Sequence, residues 1–136
     1  MSISPQDLIG VWTLEQSFTE DEAGNRTPAY DDNPRGRIMY TADGYMVAMT
    51  GAGARSFPAQ DATDADKAAA FDSFMTYAGR WSLDGNVVSH HIEHATNPNW
   101  VGNTRTRTIE HQGDRMVFSG TAGDGVSRGV IIWRRG

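Results

Sequence analysis

Three Gly/Asp turn pairs stand between short runs of alternating apolar residues: Asp43-Gly44, Asp84-Gly85 and Gly113-Asp114. Such pairs close tight β-turns, because glycine reaches positive φ without steric cost and aspartate bonds its own backbone. A chain punctuated this way doubles back about every ten residues, and antiparallel strands are its simplest outcome. The clearest case is GRIMYTADGYMVAMT, residues 36–50, where Asp43-Gly44 separates two alternating runs. Residues 10–18 (GVWTLEQSF) alternate as well, placing Trp12, Leu14 and Phe18 on one face. Further strands are expected at residues 80–83, 87–94, 103–111, 115–120 and 126–134, with a turn over 121–125. The polar run 19–35 reads as a long loop with a short strand near Tyr30.

Two helices interrupt this pattern. Ser4-Pro5-Gln6-Asp7 carries a cap, a proline at the first helical position and an early acid, so a short helix starts there and stops before Gly10. Thr63 and Asp66 form a second capping pattern, and Phe71, Phe74 and Met75 follow at helical spacing, predicting a helix over 64–77. About eight strands, short connections and one capping helix predict an all-β, closed up-and-down antiparallel barrel. The 136 residues suit a single domain, 1–136, with one core.

Composition narrows the partners. The formal charge of −5 and scattered basic residues argue against nucleic acid as a partner. No apolar run reaches the length of a membrane span, and no secretory leader is evident, so a cytoplasmic protein without a membrane partner is expected. The absence of cysteine removes disulfides and thiol chemistry. Nothing fixes the oligomeric state, and a homodimer is left open.

The chemistry concentrates in NVVSHHIEHATNPNWVGNTRTR, residues 86–107. On a strand, Ser89, His91 and Glu93 share one face and His90, Ile92 and His94 the other, and periodicity leaves the inward face undecided. In the next strand Arg105, Arg107 and Ile109 oppose a threonine-rich face, Thr104, Thr106 and Thr108, which belongs in solvent. Arg107 then points inward. HHIEH also matches an inverted zinc-protease pattern, but that pattern needs a helix. On a strand its outer histidines lie roughly 13 Å apart at about 3.3 Å per residue, too far for one zinc. No metal and no cofactor is expected.

These segments also carry a family resemblance. Gly10-Val11-Trp12 resembles the Gly-x-Trp signature of the first strand of lipocalins and related calycins. GRIMYTADGYMVA, AFDSFMTYAGRW, HHIEH and NPNWVGNTRTR are similar, in order, to the bacterial and fungal lipocalin-like domain family. The resemblance implies a small calycin-like barrel with an internal pocket, in which Trp12 packs against Arg134 or Arg135. It also favours His91, Glu93 and Arg107 as the catalytic or ligand-orienting trio. Tyr40, Tyr45, Met49, Phe74, Asn99 and Trp100 are the candidate ligand-binding residues around it.

Two functions then compete. One is binding of a small, partly apolar, oxygenated or anionic organic molecule. The other is cofactor-independent proton-transfer catalysis of isomerase, cyclase or dehydratase type, with His91 or Glu93 as acid or base and Arg107 stabilising negative charge. A structural module with a filled barrel is the third reading.

Overall fold

In the computed structural model, which describes residues 3–121 and 125–136, nine strands form one antiparallel sheet. They are β1 (Gly10–Glu20), β2 (Arg26–Pro28), β3 (Arg35–Tyr40), β4 (Tyr45–Gly51), β5 (Phe74–Asp84), β6 (Val87–Ala95), β7 (Thr104–Gln112), β8 (Arg115–Thr121) and β9 (Arg128–Arg135). The sheet order is β2-β1-β3-β4-β5-β6-β7-β8-β9, and β9 pairs back onto β1. Eight strands therefore close an up-and-down barrel, and β2 is a short ribbon appended to β1. Helices α1 (Pro5–Leu8) and α2 (Asp64–Asp72) and a 3-10 turn, Pro98–Trp100, complete the elements. No helix among the described residues is long and apolar enough to cross a membrane.

The two ends of the barrel differ. At one end α1 forms as its capping box predicts, with the Ser4 N–H donating to Asp7 at 2.8 Å. It drops Leu8 into the core, fully buried. The buried Trp12 indole donates to the Leu8 carbonyl at 2.9 Å. Arg135 lies 3.9 Å over the Trp12 ring and donates to the carbonyls of Ile9 and Asp7 at 2.7 and 2.8 Å. Arg135, rather than Arg134, is thus the basic partner of Trp12, while Arg134 points to Glu15 at 3.7 Å. The other end carries α2, the 3-10 turn and the loop around Tyr30, and it stays open.

Three elements depart from the alternation read in the sequence. A bulge between Leu14 and Gln16 switches the face of β1. Trp12 and Leu14 remain in the core, but Phe18 turns outward, opposite Val130 and 4.5 Å beneath the Arg26 guanidinium. The second helix stops at Asp72, not at residue 77, and Phe74–Asp84 is all strand. Seven residue pairs with β4, from Tyr45–Arg80 to Gly51–Phe74, outweigh the helical spacing of Phe71, Phe74 and Met75. The connection at Asp43-Gly44 spans residues 41–44, with Gly44 at φ 95°. The turn expected over 121–125 falls mainly on residues 122–124, which lie outside the described residues.

Candidate functional site: the open end of the barrel

The interior of β6 is set by Val88, His90 and Ile92, all at most 3% exposed. The face with two bulky aliphatic chains goes inside, and the face with Ser89, His91 and Glu93 goes out. Burying one imidazole is tolerable because partners wait for it. The Tyr40 hydroxyl lies 2.6 Å from its Nε2 and the Tyr77 hydroxyl 2.7 Å from its Nδ1. Burial, with the charges of Arg107, Arg105 and His91, holds the His90 pKa down at about 3, so the ring is neutral. Burial likewise pushes the pKa of both tyrosines up, so their hydroxyls stay protonated. The trio is thus a neutral, closed relay. A neutral ring offers one N–H and one lone pair, so one tyrosine donates to it and the other accepts from it. The accepting tyrosine keeps a hydroxyl proton that neither ring nitrogen takes.

Arg105 and Arg107 enter beside this relay from β7, opposite His90 and Val88. Thr104, Thr106 and Thr108 point to solvent between them. Arg107 passes over Gly120, where a Cβ would lie 3.3 Å from its Nη1, so the glycine makes room for the guanidinium. Arg105 lies 4.5 Å over the Trp100 ring and 6.0 Å over that of Tyr77. Trp100 reaches this position because Asn97 caps the 3-10 turn, its side chain accepting from the Asn99 N–H at 3.0 Å.

Above these residues a pocket of about 340 Å³ opens among Tyr30, Thr50, Phe74, Met75, Trp100 and Arg105. The Tyr30 hydroxyl bonds Thr50 Oγ1 at 3.0 Å and ties the 19–35 segment to the rim. Its volume lies in the range of sites for small organic molecules.

Residues 9–136 match the lipocalin-like domain family. The chain belongs to that family. A lipocalin-like protein from Bacteroides uniformis has a similar fold, with a TM-score of 0.54 and 16% identity over 96% of this chain and 99% of that one. A 4'-hydroxy-3'-methoxypropiophenone carrier protein of Aspergillus oryzae is 27% identical over 85 residues, 54% of this chain and 77% of that protein.

Within this lipocalin-like barrel the residues singled out from the sequence separate. Arg107, Tyr40, Phe74 and Trp100 belong to the interior or the mouth. His91 and Glu93 are exposed on the outer face, where His91 Nδ1 meets Thr104 Oγ1 at 3.0 Å and Glu93 stands 4.0 Å from Arg80. They do not converge with Arg107 inside the barrel. Tyr45 is also outside, 42% exposed and bonded by Arg80 at 2.9 Å. Met49 faces outward between Arg37 and Thr76, because its neighbours Ala48 and Thr50 take the inward positions. Asn99 is exposed on the 3-10 turn, and Asn97 lines the pocket in its place. Among the described residues no group of three His, Asp or Glu can hold a metal ion, and HHIEH lies extended on β6.

Sequence pattern alone does not single out His90, Tyr77, Arg105, Tyr30 or Thr50 as site residues. For Arg105 the available signal is its place on the inward face with Arg107 and Ile109. Tyr77 was hidden by its assignment to a helix.

Proposed function

We propose that this chain binds a small, partly apolar, oxygenated aromatic molecule at the open end of the barrel and carries it. The observation that supports this most is the mouth pocket of about 340 Å³, where the Arg105 guanidinium stacks 4.5 Å over Trp100. Phe74, Met75 and Trp100 supply apolar walls, and Arg105, Thr50 and Tyr30 supply the few polar groups that orient a guest. Arg107 follows Arg105 on the same face of β7, and Tyr77 of the Tyr40–His90–Tyr77 relay packs edge-on against Trp100 at 6.3 Å. The name of the Aspergillus relative points the same way, since a hydroxylated and methoxylated aryl ketone is a one-ring molecule of mixed polarity.

The test is a titration of the 15N-labelled protein with 4'-hydroxy-3'-methoxypropiophenone and related hydroxylated and methoxylated aryl ketones. Saturable shifts at the Trp100 indole and the Arg105 side chain are expected, with Trp100→Ala weakening binding about tenfold. Shifts confined to the outer face around His91 and Glu93 would refute the site. So would the absence of a saturable response to every compound.

A further inference from the structure

Among the described residues, several hydrogen-bond donors inside the barrel stand without a counter-charge or an acceptor. Arg105 and Arg107 both face inward from β7, and among the described residues neither has a carboxylate within 4.0 Å. The Trp133 indole N–H, 1% exposed, has no acceptor among the described residues. The Tyr40–His90–Tyr77 relay leaves one hydroxyl proton over, by the count above. Asp72 is the one acidic residue along the mouth pocket, and it sits exposed without an ion pair to Arg105. Arg107 keeps one hydrogen bond, to the Thr106 carbonyl at 2.8 Å.

A second opening adds to this. The ladder between β7 and β8 ends at Thr108–Ser119, and beyond it a cleft of about 490 Å³ runs between the two strands. Its lining includes Arg105, Arg107, Thr106, Ser119 and Gly120. Arg105 therefore belongs to the walls of both the mouth pocket and this cleft. Partly buried cations without a counter-charge are costly unless an anion visits them. Surplus donors select a guest made of acceptors.

We propose that the pocket takes its ligand as an aryl oxyanion, with the charged oxygen on Arg105 and Arg107 behind it, and the ring against Trp100. This rests on the pocket reading above and adds to it the ionisation state of the guest. An aryl phenolate and an aryl carboxylate share the required chemistry.

Three probes with one 3,4-dioxygenated ring test it. 4'-Hydroxy-3'-methoxypropiophenone can ionise, 3',4'-dimethoxypropiophenone cannot, and 3,4-dimethoxybenzoate carries only a carboxylate. The bound phenol is expected to show the red-shifted phenolate absorption band, with its apparent pKa lowered by about one unit or more. The dimethoxy ketone is expected to bind at least about tenfold more weakly than the better of the two anions. Tighter binding of the benzoate than of the phenol assigns the natural oxyanion to the carboxylate class, and weaker binding assigns it to the phenolate class. Arg105→Gln should abolish the pKa drop and remove the preference for the anion over the dimethoxy ketone, and Arg105→Lys should retain part of that preference. Equal binding of phenol and dimethoxy ketone, with the phenol band neutral, would overturn the oxyanion and leave the pocket standing. Saturable binding by none of the three would overturn both.

Discussion

A neutral imidazole enclosed by two phenols cannot take a proton without losing the hydrogen bond made to its lone pair. At His90 this fixes the sign of a pH effect. The folded ring titrates at about 3, against 6.5 for an ordinary histidine. Below pH 6.5 the unfolded chain therefore gains a proton that the folded chain refuses. Stability is full above that value and falls as the pH drops toward the folded pKa, with a contribution approaching about 1.4 kcal/mol per pH unit. Urea denaturation across this range should show that slope, and His90→Gln should flatten it. An unchanged slope in the variant would place the acid sensitivity elsewhere. Tyr40→Phe strands one nitrogen of the same ring and should cost about 1–3 kcal/mol in chemical denaturation, without loss of the barrel circular dichroism.

At the level of elements, the bulges decide which residues see the interior. On β6 the pairing with β5 slips between Ala78 and Gly79, so Glu93 falls between the partners Ile92 and His94. Gly79 is what permits the slip, since a Cβ there would lie 1.8 Å from the His91 carbonyl oxygen. Gly79→Ala should destabilise by about 1–3 kcal/mol or more, and thermal melts would register it. Gly85→Ala, with open space at φ 62°, should cost only the strain of the left-handed region, about 1–2 kcal/mol. The strands, turns and closure were legible because alternation and turn chemistry are local. The inward face of β6 was not, since Val88 and Ile92 on one side and Val87 on the other differ too little by pattern. The two aliphatic chains can face inward only because two phenols on β3 and β5 receive His90 there, a long-range fact. Phe18 and Phe74 were misplaced for related reasons, a bulge in one case and strand pairing with β4 in the other. Arg107 and Trp100 needed only a threonine-rich face and an Asn-Pro loop to be noticed.

On the scale of the whole molecule, the barrel is sealed at one end and open at the other, and the seal is built from both ends of the described chain. Arg135→Ala removes the cation over Trp12 and two hydrogen bonds to the carbonyls around α1. It should cost about 1–2 kcal/mol, whereas Arg134→Ala, losing only a half-exposed partner of Glu15, should stay within about 0.5 kcal/mol. Equal effects of the two, read by urea midpoints, would dissolve the distinction. The seam between β1 and β9 joins residues more than a hundred positions apart, as in the pair Trp12–Arg135. During synthesis β1 leaves the ribosome more than a hundred residues ahead of β9, so one side of it waits for that partner. Until then its unpaired backbone is a template for other nascent chains, so this protein should yield more soluble material when translation is slow or chaperones are abundant.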